Sequence, residues 1–169
     1  MITLWDLATG EAIRRFKGHT NLVWDVAYSP DGKTALSGSW DTSLIRWDLE
    51  SGEIIHRFLG HSDIVRGIAI SHDGRTAVSG SRDSTLILWD LATGEALRRY
   101  RGHSGMVNSV AFSPDGRTVL SGADDGEMIE WRIDDTLEEL TAWTSANRYL
   151  YELTCSERAQ YGVEPLCEE

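Results

Sequence analysis

Along most of the chain, apolar and polar residues alternate in short runs that are punctuated by Gly, Asp, Ser and Pro. The run Leu22-Val23-Trp24-Asp25-Val26-Ala27-Tyr28 reads as a strand and stops at Ser29-Pro30-Asp31-Gly32. In that tetrad the proline presets φ and the glycine accepts a positive φ, which makes a turn. Thr34 to Ser39 is a second, short and buried strand, and Ser43 to Leu49 is a third. Glu53 to Phe58 alternates as a fourth, more polar strand that fits an outer edge. Past Trp131 the period changes. Leu137, Leu140, Trp143, Ala146, Leu150 and Leu153 recur every three to four residues and predict an amphipathic helix. Asp135 with Glu138 caps it, and Thr154-Cys155-Ser156-Glu157 opens a second, short helix.

The β pattern repeats. Trp5, Trp47, Trp89 and Trp131 are each 42 positions apart, and Gly18-His19, Gly60-His61 and Gly102-His103 keep the same interval. About half of the positions are identical between the first two full units, with no insertion or deletion, the mark of stacked supersecondary units. Residues 1–133 divide into a partial unit (1–17) and units 18–59, 60–101 and 102–133; residues 134–169 form an acidic helical tail. Four antiparallel strands per unit make a propeller blade. The expected fold class is therefore all-β, a partial propeller per chain, with a short α-helical C-terminal tail.

The glycine-histidine dipeptide, the Ser-Pro-Asp-Gly turn, the Ser-Gly-Ser-x-Asp segment and the Trp-Asp dipeptide, at this spacing, resemble WD40 repeats. His72 replaces the turn proline, Arg132 replaces the last aspartate of the Trp-Asp pair, and Ala123 replaces a serine. The resemblance implies a buried hydrogen-bonded tetrad in each blade: His19, Ser37, Asp41 and Trp47; His61, Ser79, Asp83 and Trp89; His103, Ser121, Asp125 and Trp131. A His, Ser and Asp in each unit also suggest a hydrolytic triad. Triplication argues against that, and so does the missing G-x-S-x-G elbow, since Gly102-His103-Ser104-Gly105-Met106 falls one glycine short. No catalytic residue, cofactor or metal site is expected. Asp124-Asp125-Gly126-Glu127 lacks the spacing of a calcium loop. His56, His72 and the Arg98-Arg99-Arg101 cluster read as solvated positions on edges and turns.

Function is expected where the units differ. Leu22 and Trp24, Ile64 and Arg66, Met106 and Asn108 flank the first-strand valine, while Trp40, Arg82 and Asp124 precede the turn aspartate. By WD40 geometry both groups gather on the face where such proteins bind partners. Trp and Arg are the residues most enriched at interface hot spots, so a protein or peptide partner is expected there. The simpler alternative is that Trp24 and Trp40 only pack on each other.

Charge narrows the partners. The chain carries 27 acidic and 16 basic side chains, a net charge of −11, which disfavours nucleic acid and anionic membranes. Nine of the acids and two of the bases lie in 134–169, so the body is nearly balanced. No apolar run has the roughly 18 residues of a membrane span, and no signal sequence opens the chain, which fits a cytoplasmic protein. Cys155 and Cys167 make no zinc spacing, and a disulfide between them is not expected in a reducing compartment. A similar tail follows the repeats in some bacterial WD40 signalling proteins.

Three units are too few to close a propeller. The expected solution is a homo-oligomer, a six-bladed dimer or nine-bladed trimer. Ile13 to Phe16, of the same chain or a neighbour, would supply the fourth strand that the last blade lacks. Two alternatives stand beside this reading: a piece of a longer chain, and a propeller that uses a central channel as an enzyme or small-ligand site.

Overall fold

The computed structural model describes residues 1–133; the predicted helices, Trp143 and the two cysteines fall outside the described residues. Among the described residues, thirteen strands form four antiparallel sheets. β1 (Ile2–Trp5) pairs with β2 (Ala12–Phe16). β3 (Val23–Tyr28), β4 (Thr34–Ser39), β5 (Leu44–Asp48) and β6 (Ile54–Phe58) form the first four-stranded sheet, in chain order. β7 (Val65–Ile70), β8 (Thr76–Ser81), β9 (Thr85–Asp90) and β10 (Ala96–Arg101) repeat it. β11 (Val107–Phe112), β12 (Thr118–Ala123) and β13 (Met128–Arg132) make a three-stranded sheet. Ile13 to Phe16 thus lies in β2 beside β1, and within this chain it does not complete the last sheet.

The sheets stack because their second strands are built of small or apolar residues. A Cβ on Gly38 would stand 2.8 Å from Val65 Cγ1, and one on Gly80 would stand 2.5 Å from Val107 Cγ1. Only glycine lets the neighbouring valine approach that closely. Around these contacts Leu36, Leu44 and Phe58 pack with Val65, Ile68, Ala77 and Trp89. Val78 and Leu86 pack with Val107, Val110 and Val119. Phe16, Phe58 and Tyr100, from the outer strands, lean on Trp47, Trp89 and Trp131 of the following sheet, with ring centroids 5.6 Å apart. Such aromatic pairs contribute about 0.5–1.5 kcal/mol beyond their buried area.

Polar bridges cross the same joints. The Ile68 N–H donates to Asp25 Oδ2 at 2.9 Å, and Arg46 Nη1 donates to the Leu91 carbonyl at 2.8 Å. His56 Nε2 donates to the Ala92 carbonyl at 2.9 Å, so His56 joins two sheets instead of standing free in solvent. The turn with His72 in place of proline keeps its geometry through side chains. Ser71 Oγ bonds Asp73 Oδ1 at 2.6 Å and the Thr76 carbonyl at 3.0 Å, and Gly74 takes φ +70°.

Candidate functional site

Each full unit builds one buried polar chain. Trp47 Nε1 donates to Ser37 Oγ at 2.8 Å, Ser37 Oγ meets His19 Nε2 at 2.8 Å, and His19 Nδ1 meets Asp41 Oδ2 at 2.9 Å. The next unit repeats this through Trp89, Ser79, His61 and Asp83 at 2.8, 2.8 and 2.9 Å. The last does so through Trp131, Ser121, His103 and Asp125 at 2.7, 2.7 and 2.9 Å. Polarity runs one way: the indole donates to the serine, the serine hydroxyl donates to the imidazole, and the other ring N–H donates to the carboxylate. No donor within such a tetrad is left without an acceptor.

The electrostatics follow from this geometry. Burial alone would raise the Asp41 pKa, but bonds from Ser43, the Thr20 N–H and His19 hold it well below the usual carboxylate range. Asp83 is depressed in the same way, against its burial, by His61, Thr85 and the Ser62 N–H. Asp125 is lowered to about 2, chiefly by the Glu127 N–H, with His103 and the Ser104 N–H adding to it against burial. Burial lowers the His19 pKa, and the Asp41 contact opposes that shift. The serines are not placed for nucleophilic attack. Ser37 and Ser79 are fully buried and Ser121 nearly so, and each oxygen is engaged by an indole and an imidazole.

Four side chains take part in this network in ways that were not read from the sequence. Ser43 and Thr85 donate to the Asp41 and Asp83 carboxylates at 2.6 Å. From the outer strands, Arg57 Nη2 caps the Gly18 carbonyl at 2.8 Å and Arg99 Nη2 caps that of Gly60 at 2.5 Å. Arg57 Nη1 also reaches Ser43 Oγ at 3.1 Å, and Arg99 Nη1 reaches Thr85 Oγ1 at 3.0 Å. Arg99 is exposed together with Arg98 and Arg101, as their cluster suggests, and it also ties an outer strand to the loop that carries the tetrad histidine. The signal was available, because Arg57 and Arg99 keep the 42-residue interval.

The variable residues also come together. The Leu22, Ile64 and Met106 carbonyls accept backbone bonds from Trp40, Arg82 and Asp124 at 2.9 Å, so in each unit the two variable groups are one site. Trp24 and Trp40 stack with centroids 6.0 Å apart and planes 23° from parallel, yet they stay 47% and 38% exposed. Arg66, from the next unit, lies over Trp24 at 4.2 Å and points Nη1 at Met106 Sδ at 2.9 Å. Arg82 Nε lies 3.8 Å from Asp63, and Asn108 Nδ2 bonds Asp124. Trp40, Trp24, Arg66 and Met106 thus form a continuous strip across all three units. Ile64 lies half-buried beside it and Leu22 is exposed.

A sequence profile of the family described as "WD domain, G-beta repeat" matches residues 10–48, 52–90 and 94–132. The chain belongs to the WD40 family. It is similar to the small ribosomal subunit protein RACK1z of Arabidopsis thaliana, at 52% identity over 48 residues. It is also similar to the small ribosomal subunit protein RACK1 of Dictyostelium discoideum, at 45% identity over 49 residues. Each match covers 25% of this chain and 15% of the relative. Among the described residues no group of three or more His, Cys, Asp or Glu could hold a metal ion, and no helix is long and apolar enough to cross a membrane.

Proposed function

We propose that this WD40 chain is a non-catalytic, cytoplasmic scaffold that binds a protein or peptide on the strip formed by Trp40, Trp24, Arg66 and Met106. Leu22, Ile64, Arg82, Asn108 and Asp124 form its margin, and the propeller is completed by association of further copies. One observation carries the reading: two half-exposed indoles stack on each other and carry an arginine from the next blade. That arrangement leaves broad aromatic surface open while a neighbouring cation holds it in place. The relatives are named as small ribosomal subunit proteins, members of a large assembly, which supports a role in holding partners together. The acidic net charge makes a protein a better partner than nucleic acid.

The test is a pull-down that compares the wild type with the variant Trp24→Ala/Trp40→Ala/Arg66→Ala/Arg82→Ala. None of the four side chains belongs to a tetrad, so the variant keeps the wild-type circular dichroism spectrum. The expected result is loss of the partner that the wild type captures. Equal capture by both proteins would overturn the proposal.

A further inference from the structure

A polar pocket of about 320 Å³ lies on the middle unit, lined by Ser62, Asp83, Ser84, Thr85, Arg99, Arg101 and His103. Three segments of the unit build it: the loop after Gly60-His61, the turn between β8 and β9, and the end of β10. Arg99 and Arg101 stand two residues apart on β10 and so share one side of the strand. Arg101 pairs with Thr85 across the sheet. Arg99 donates Nη1 to Thr85 Oγ1 at 3.0 Å and Nη2 to the Gly60 carbonyl at 2.5 Å, which fixes its guanidinium and leaves further N–H groups free. Arg101 is exposed. Among the described residues its guanidinium and the Ser62 and Ser84 hydroxyls have no hydrogen-bond or ion-pair partner.

The charges in the pocket do not cancel. The carboxylate in the wall belongs to Asp83, whose side chain is 6% exposed. Its oxygens accept from His61 Nδ1, the Ser62 N–H, and the N–H and hydroxyl of Thr85. Arg99 Nη1 stands 3.7 Å from it and offsets its charge. Both ring nitrogens of His103 are engaged, by Asp125 and Ser121. The charge of Arg101 is therefore left over, beside two free hydroxyls. Donors that converge from three segments suit an oxyanion that accepts in several directions. A phosphate monoester does so on three oxygens, whereas a carboxylate offers two in one plane. The fold does not require this arrangement. Unit 18–59 keeps Thr20, Thr42 and Arg57 at the equivalent positions but has Leu59, 70% exposed, where the middle unit has Arg101.

Ser62 and Asp83 are the chain neighbours of Asp63 and Arg82, whose contact at 3.8 Å lies at the margin of the tryptophan strip, so the pocket borders the strip. We infer that the pocket takes the phosphate of a phosphorylated side chain on the peptide that lies along the strip. Arg101 and Arg99 pair with its charge, and the Ser62 and Ser84 hydroxyls donate to its remaining oxygens. The source of the phosphate rests on peptide binding as proposed above; the affinity of the pocket for a phosphate monoester does not.

The test is an NMR titration of the full chain with N-acetylphosphoserine amide, its unphosphorylated counterpart and inorganic phosphate. The phosphoserine compound should shift the Ser62, Ser84 and Arg101 N–H signals, and the unphosphorylated one should not. Arg101→Leu installs the residue that the preceding unit carries at this position, so its fold survives, and it weakens binding about tenfold or more. Trp24→Ala/Trp40→Ala binds the compound as the wild type does. Absence of shifts at the pocket, or wild-type affinity in Arg101→Leu, would overturn the inference. Binding of inorganic phosphate with exclusion of the phosphoserine compound would overturn it too, because the site would then serve the free ion. Phosphoserine binding alongside a failed pull-down test of the strip would overturn peptide binding there and leave the phosphate pocket standing.

Discussion

The Trp89 indole N–H is a donor that folding removes from water, and Ser79 receives it. Replacing Ser79 by Ala leaves the indole and the His61 imidazole each short of a partner, which costs about 2 kcal/mol or more. Urea unfolding checks this, and an unchanged midpoint would contradict the buried network. Thr42 and Ser84 sit at φ 70° and 64°, where the third unit has Gly126 at φ 81°. A β-branched residue is strained there, so Thr42→Gly stabilises the protein by about 1 kcal/mol despite the added backbone entropy of glycine. A lower unfolding midpoint would contradict that strain.

The tetrad also fixes how stability depends on pH. His19 has its pKa lowered in the fold, so the unfolded chain takes up the proton first. Its contribution is complete above the ordinary value of 6.5 and fades as pH falls below it. Asp125 is depressed from 3.8 to about 2, so its contribution is complete above about 4 and fades between 4 and 2. An NMR titration of the folded protein should place the His19 midpoint below 6.5; a midpoint above it would reverse the first sign.

Among the elements, the strands were legible because each has its own punctuation: an alternating run, then a turn whose serine and aspartate bind their own backbone. The second unit shows that the proline is not essential. His72→Pro restores the preset φ at a site whose N–H makes no backbone bond, and should raise stability by about 0.5 kcal/mol through the unfolded chain. Thermal unfolding measures this, and a lower melting temperature would contradict the turn assignment. The roles of His56 and Arg99 were not legible from local pattern. A charge on an outer strand looks solvated, and the carbonyls these side chains reach lie 36 and 39 residues away. The repeat interval identifies the residues involved, but only the spacing between sheets shows that they touch. The same spacing decides whether Arg66 reaches Trp24. The sequence marked both as variable and could not show that they stack.

For the molecule as a whole, the repeat separates two kinds of residue. Positions held through every unit either knit each blade together, as the tetrads do, or make one blade fit the next, as Gly38 and Gly80 do under Val65 and Val107. Positions that change from unit to unit converge on a single strip that crosses the blades, and this is where the chain departs from its own consensus. The central claim is that fixed positions govern stability and variable ones govern binding. Partner affinity and urea midpoint, measured together on Ser79→Ala and Arg66→Ala, test it most directly. The account predicts that Ser79→Ala lowers the midpoint and leaves the affinity of the folded protein unchanged. It predicts that Arg66→Ala keeps the midpoint within about 0.5 kcal/mol of wild type and weakens binding about tenfold or more. Wild-type affinity in Arg66→Ala, with or without a change in stability, would contradict it.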